Sequence, residues 1–419
     1  MISGLTRERA ILQGAYEENR QRTELIFDLL DPQAYYERPI PLRHPFLFYE
    51  GHIPGFSFLT LVRRALGSAP IDEDLERLFQ RGIDPGNPSE AAAVAPTEWP
   101  QREAVRAFAR ACDARVRDAL ARARIDDDDN PRLVRAQSAY NIIEHEQMHH
   151  ETLLYMIHQL PRESKRVLPS EHRDAVPPPY RRVEIPAGTA TLGAPREAIA
   201  FGWDNEFGET TVRVGAFEIE ADNVTNGDYL AFVEAGGETP PFWRRSGERW
   251  QLATLFDRLP LPISWPVFVT QRQADAYARW KGLRLPTEAE YHRAAFGTPE
   301  GEERAYPWGD APPDAARGNF GFERFDPVPA GSYPAGASAW GVNDLVGNGW
   351  EWTSTPFGPL PGFAPMASYP QYSVDFFDGA HYVLKGASPV THSRLVRRSF
   401  RNWFRADYPY VYATFRCVT

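Results

Sequence analysis

Prolines divide this chain. Pro161, Pro169 and the run Pro177-Pro178-Pro179 crowd one short stretch. Proline fixes φ and lacks an amide hydrogen, so the stretch discourages helix and favours an extended spacer. A length of 419 residues exceeds one ordinary core and makes two domains the expectation. The sequence texture changes across the prolines. We expect a helical domain over 1–165, a linker over 166–180 and a mixed domain over 181–419.

Upstream, Thr6 to Leu30 carries Ile11, Leu12, Tyr16, Leu25, Ile26 and Leu29 among many charges, an amphipathic pattern. A second apolar segment runs from about Phe46 to Leu66. Gln101 to Arg124 places Val105, Phe108, Cys112, Val116 and Leu120 at helical spacing. Asp126 to Asn130 reads as a solvated acidic turn, with Pro131 in the first turn of a helix reaching about Gln159. Four helices with one long crossover, over about 67–100, imply a bundle.

Downstream, Gly, Pro, Trp and Asn become frequent. Strand-like pieces are short: Arg182 to Ile185, Thr210 to Ile219 and Tyr382 to Lys385. Helices are expected at Asn226 to Ala235 and Thr287 to Phe296, the second capped by Thr287 with Glu290 three residues on. The pattern is α+β with much irregular loop.

Acidic residues outnumber basic ones by 56 to 46, which disfavours nucleic acid as a partner. Met1 to Leu30 has no apolar core of a secretory signal, and no run approaches a membrane span. Cys112 and Cys417, one in each half, suggest no disulfide framework, so a reducing, cytoplasmic setting is expected.

Four of the ten histidines lie between 145 and 158. His145 and His149 are four residues apart on one helical face, where two imidazoles can bind one metal ion. A third ligand is needed. His52 is the best candidate and His44 the runner-up. The competing reading for such a pair is hydrogen-bonded or surface histidines. It is preferred for His150 and His158, which fall off the shared face. Glu151 either orients a ligand or is a solvated carboxylate. Iron and zinc both remain open at this point.

The motifs point further. His145-x3-His149-x-Glu151 with Gly51-His52 resembles the DinB-like domain of ergothioneine-type sulfoxide synthases. Asn223-Val224-Thr225-Asn226, Leu285-Pro286-Thr287-Glu288, Tyr306-Pro307-Trp308-Gly309, Gly347-Asn348-Gly349-Trp350-Glu351-Trp352 and Phe415-Arg416-Cys417 resemble the formylglycine-generating-enzyme fold, a C-type-lectin-like α+β domain. Trp350 and Trp352 read as core. Formylglycine-generating enzymes use a cysteine pair, and only Cys417 stands in this half, which argues against that activity. The resemblance implies the fold class α+β, an N-terminal DinB-like four-helix bundle followed by a C-type-lectin-like domain.

It also implies Fe(II) held by His52, His145 and His149. The family joins a chalcogen to the imidazole C2 of hercynine, a trimethylhistidine betaine, using dioxygen. Tyr369-Pro370-Gln371-Tyr372 resembles the family's tyrosine region, which makes Tyr369 the expected proton or hydrogen donor and Tyr372 its neighbour in the substrate pocket. Asn402 and Trp403 match the motif lining the betaine site. An amide suits the carboxylate, and an aromatic face attracts a quaternary ammonium. Met148 stands where the family has a substrate-binding glutamine. Phe404-Arg405-Ala406-Asp407 departs from the Asp and Arg that grip γ-glutamylcysteine. With the lead-in Arg43-His44-Pro45-Phe46, these departures resemble selenoneine synthase most. The expected function is therefore C–Se bond formation between hercynine and a seleno-sugar. The alternative is C–S bond formation with cysteine or γ-glutamylcysteine. A DinB-like thiol transferase would leave the second domain unexplained, and a lectin-like binding protein would leave the clustered histidines unexplained.

Overall fold

The computed structural model describes residues 2–80, 82, 98–169 and 172–419, with backbone alone for 2–6. Nearly half of the expected crossover (81 and 83–97) and Ser170 and Glu171 of the expected linker lie outside the described residues. The chain divides into two compact units. One comprises Met1–Leu168 with Met366–Pro370, and the other Pro169–Pro365 with Gln371–Thr419.

The first unit is helical. Its long helices are α1 (Ile2–Phe27), α2 (Phe46–Ser57), α4 (Arg102–Arg122) and α5 (Gln137–His158), with a short α3 (Glu73–Phe79) between α2 and α4. Asp72 starts α3 by accepting the amides of Asp74 and Leu75, a turn inside the expected crossover. α1 packs on α4 and α5, and α2 packs on the same two helices. α2 is apolar all round and buried along its whole length except Glu50, so it forms the centre of the bundle. Pro54 lies inside it and supplies no amide hydrogen, and the helix widens into π turns over Phe58–Ala65.

α1 buries Leu12, Tyr16 and Ile26 but leaves Ile11 and Leu25 exposed. Polar residues share its buried stripe instead. Asn19 donates to the Ile143 carbonyl, and Arg20 and Thr23 both reach Glu146 at 2.6 Å. Counting apolar residues alone therefore misplaces the face of α1.

α5 starts later than Pro131 suggests. Arg135 and Ala136 both hold positive φ, 55° and 52°, which a right-handed helix cannot accommodate. Asn130 accepts the Arg132 amide and donates to Ala65 O, so its local turn replaces the expected first helical turn.

The second unit is α+β. A four-stranded sheet runs β10–β9–β8–β11, from Asn402–Arg405, His381–Ala387, Gly349–Pro356 and Ala413–Thr414. β11 is parallel to β8 and the other pairs are antiparallel. β1 (Arg182–Ile185) pairs with β4 (Phe217–Glu220), β2 (Gly188–Leu192) with β3 (Thr210–Val214), and β5 to β7 (Trp243–Ser246, Arg249–Ala253, Arg258–Pro260) form a small meander. The stretch expected as one strand, Thr210 to Ile219, is thus two, broken at Gly215 and paired to different partners. Helices α6 (Asn226–Glu234), α7 (Gln271–Trp280) and α8 (Glu288–Phe296) each start with a reciprocal cap, from Thr225, Thr270 and Thr287. The Thr270–Gln273 cap marks α7, which the apolar spacing alone did not reveal.

Trp350 and Trp352 are core residues, 1% and 0% exposed. Beside them Arg416 and Glu351 form a fully buried pair, with Nε and Nη2 at 2.8 and 2.7 Å from the carboxylate. Arg416 also donates to the carbonyls of Glu220, Ala221 and Asn343, tying this stretch to the end of β4 and to the loop before β8. Removing one partner strands the other charge. Arg416→Met is expected to destabilise the unit by about 3–5 kcal/mol, read as a lower urea midpoint. Among the described residues, no helix is long and apolar enough to cross a membrane.

Candidate metal centre and aromatic site

Neighbouring faces of α5 do different work. Glu146 and His150 turn toward α1, where His150 Nε2 lies 2.8 Å from Thr23 Oγ1 and serves as a hydrogen-bonded core residue. His145 and His149 turn toward α2 and meet His52. The ligand atoms of His52, His145 and His149 all lie within 4.8 Å of one another. His149 Nε2 stands between the other two, 3.2 Å from His52 Nε2 and 3.1 Å from His145 Nε2. His44 is buried and packs tilted against Phe48 with centroids 4.1 Å apart, outside this group. Glu151 is 8% exposed, which removes the reading of a solvated carboxylate.

The rings are oriented by packing. His52 Nδ1 donates to the Phe79 carbonyl at 2.7 Å, which leaves its Nε2 as a lone pair. Phe79 is itself locked against Gly51, where an added Cβ would lie 2.7 Å from its ring. His145 lies flat on Phe56, with centroids 3.6 Å apart, and His149 leans on Tyr49 at 5.5 Å. The Nδ1 atoms of His145 and His149 are buried without a hydrogen-bond partner, so aromatic contact rather than an acceptor sets these two rings.

Charge fits the same picture. Burial pushes the His52 imidazole down from its ordinary 6.5 to about 4, against the opposing pull of the Phe79 carbonyl. Burial, then the neighbouring imidazoles, hold His145 and His149 well below the ordinary range. All three are neutral near pH 7, the form that binds metals. Three neutral rings cannot satisfy one another, because the proton on one Nε2 serves a single neighbour. A cation resolves this. At a metal–nitrogen distance of about 2.1 Å, ligands at 90° sit about 3.0 Å apart and tetrahedral ones about 3.4 Å. The observed 3.1 and 3.2 Å lie between these, a spacing that one shared ion could bridge.

The depressed values have a stability consequence for metal-stripped protein. The unfolded chain takes up protons near pH 6.5, whereas folded His52 resists them to about 4. The unfolded state then binds more protons, so stability falls as pH drops through that window. Urea midpoints at pH 7 and pH 5 should show the loss.

Tyr369 belongs to this first unit. Its ring lies 5.1 Å from Phe56 and 6.4 Å from His145. α5 holds the segment directly, since Asn141 Nδ2 reaches Met366 Sδ at 3.2 Å and Ser368 Oγ at 3.3 Å. Met148 is half-buried on α5.

Tyr372, Asn402 and Trp403 belong to the second unit. Trp403 stacks on Phe357 at 4.3 Å, meets Tyr372 edge-on at 5.1 Å and lies 5.5 Å from Phe376. Tyr372 in turn stacks on Trp203 at 3.8 Å. Asn402 Oδ1 accepts the Trp403 amide. Alternation along β10 puts the Asn402 and Trp403 side chains on opposite faces. Phe56, Trp203, Phe357 and Phe376 escaped the sequence reading. Phe56 had a usable signal, because it stands four residues after His52 on the same helix. The others lie far apart in sequence and carry none.

Comparison with known proteins follows the same division. Residues 169–419 match the sulfatase-modifying factor enzyme 1-like domain, and residues 15–153 match the DinB superfamily. A protein named hercynine oxygenase, from Mycolicibacterium thermoresistibile, is 38% identical over 64% of this chain and 65% of its own length. Ergothioneine biosynthesis protein 1 of Schizosaccharomyces pombe is 29% identical over 93% of this chain and 53% of its own. The formylglycine-generating enzyme of Streptomyces coelicolor is 31% identical over 52% of this chain and 81% of its own. The first match spans just under two thirds of the relative's length and the second about half. A DinB-type helical domain followed by a sulfatase-modifying-factor domain defines the class. Within that class, the chain belongs to the ergothioneine-type sulfoxide synthase family.

Proposed function

We propose that the chain is a dioxygen-dependent oxidoreductase that joins a chalcogen to the imidazole C2 of hercynine with Fe(II) held by His52, His145 and His149. The observation that carries the reading is the convergence of three neutral Nε2 atoms with the Tyr369 ring 6.4 Å from that of His145. Bound there, Fe(II) would supply dioxygen activation and a coordination position for a soft donor. The remaining work falls to this chain's side chains. Tyr369 holds the proton or hydrogen delivered during oxygen activation. Tyr372 and Trp403 receive the trimethylammonium group against aromatic faces. The buried thiols Cys112 and Cys417 accord with a cytoplasmic site of action.

The donor is where the expectation shifts. Relatives named for hercynine and ergothioneine favour sulfur, so cysteine or γ-glutamylcysteine becomes the leading donor in place of a seleno-sugar. A seleno-sugar remains the second reading, favoured by Met148 and by Phe404, which stacks on Tyr408 at 5.0 Å rather than offering the family's carboxylate. Equal concentrations of cysteine, γ-glutamylcysteine and a seleno-sugar, supplied with hercynine and air, test the choice by mass spectrometry. A C–S adduct as the main product supports the leading reading. A C–Se adduct as the main product replaces it.

A further inference from the structure

We propose that Arg405 anchors the carboxylate of the zwitterionic substrate, working with Trp403 from one face of β10. This rests on the reading of hercynine as substrate. β10 is an edge strand paired with β9 in the register Trp403↔Val383 and Arg405↔His381. Side chains two residues apart on a strand share a face, about 7 Å from each other. Trp403 and Arg405 therefore stand together, with Asn402 and Phe404 on the opposite face. The contacts agree with this division. Phe376 lies 5.5 Å from Trp403 and 5.4 Å from His381. His381 Nδ1 bonds Asp378 Oδ1 at 2.9 Å, and Arg405 Nη1 lies 3.6 Å from Asp378 Oδ2. An aromatic wall thus runs into a guanidinium through His381 and Asp378.

A betaine carries its ammonium and its carboxylate on one carbon. Recognising both calls for an aromatic face beside a cationic fork. Trp403 with Phe357 and Phe376 supplies the face. Arg405 supplies the fork, which fits a carboxylate in a way an amide cannot. The separation of 3.6 Å from Asp378 exceeds the ~2.7–2.9 Å of a charge-assisted hydrogen bond. Asp378 therefore positions the guanidinium by charge, while its second oxygen is tied to His381 and to the Ala380 amide at 2.8 Å. The Arg405 side chain retains 25% exposure, enough to be reached by a small molecule.

The test is calorimetric, on the full iron-loaded chain without oxygen. Hercynine is compared with trimethylhistamine, which keeps the imidazole and the ammonium but lacks the carboxylate. Arg405→Gln is expected to weaken hercynine binding about tenfold to a hundredfold, the loss of a charge-assisted contact. Arg405→Lys should lose less, and trimethylhistamine should bind wild type and Arg405→Gln alike. Unchanged hercynine affinity in Arg405→Gln would overturn the assignment. So would an equal loss of trimethylhistamine binding, which signals structural damage. A raised KM for the thiol donor with hercynine binding intact would place the donor's carboxylate on Arg405 and also overturn it. Failure of the wild type to bind hercynine at all would instead remove the functional reading, and this inference with it.

Discussion

His149→Ala is expected to reduce bound iron from equimolar to background while the bundle stays folded. His149 Nε2 is the middle of the three imidazole nitrogens, 3.2 Å from His52 Nε2 and 3.1 Å from His145 Nε2. Its loss leaves two imidazoles and two open edges, too few donors to hold a labile divalent ion through gel filtration. Folding should survive because the ring makes no internal hydrogen bond outside the cluster that other α5 residues depend on. Glu146 and His150 keep α5 tied to α1 through Arg20 and Thr23. The contrast is a substitution at Glu146, which removes the shared partner of Arg20 and Thr23, leaves Arg20 with Asp113 at 3.2 Å alone, and should lower the stability of the bundle. Metal analysis together with far-ultraviolet circular dichroism separates the two outcomes. Full iron content in folded His149→Ala would take this residue off the ligand set.

Tyr369→Phe is expected to lower the coupling rate by about a hundredfold to ten-thousandfold, the range for loss of a positioned acid. Iron content and hercynine binding should be unchanged. The ring packs on Phe56 and approaches His145, contacts that phenylalanine preserves. The segment is anchored through Met366 and Ser368 to Asn141, away from the hydroxyl. The substitution thus isolates the phenol oxygen. Single-turnover measurement of product after air is admitted reads the chemical step directly. An unchanged rate would exclude Tyr369 as the donor.

Much of this site is legible in the chain because helices turn sequence spacing into geometry. His145 and His149 lie on one face by arithmetic alone, and the neighbours Glu146 and His150 fall on another. His52 is found by spacing plus the knowledge that a bundle sets α2 beside α5. What sequence cannot give is the third dimension of loops. Tyr369 follows nearly 200 residues of a different unit, yet Met366–Pro370 groups with the first unit. No periodicity announces that return. The aromatic cluster fails for the same reason, since Trp203, Phe357 and Trp403 come from three separated stretches. Misplaced elements have local causes: a left-handed pair at Arg135–Ala136 delays α5, and Gly215 divides β3 from β4. The buried polar stripe of Asn19, Arg20 and Thr23 shows how a charged residue counted as surface becomes core once Glu146 is its partner.

Oxygen consumption by the iron-loaded full chain tests the central claim most directly. A thiol donor and air are present throughout, and hercynine is added last. The account predicts slow uptake before the addition, then a burst whose extent equals the hercynine supplied, with a C2–chalcogen adduct formed in the same amount. His149→Ala should show neither. Oxygen uptake that ignores hercynine, with cysteine, γ-glutamylcysteine and a seleno-sugar each tried as donor, would contradict it.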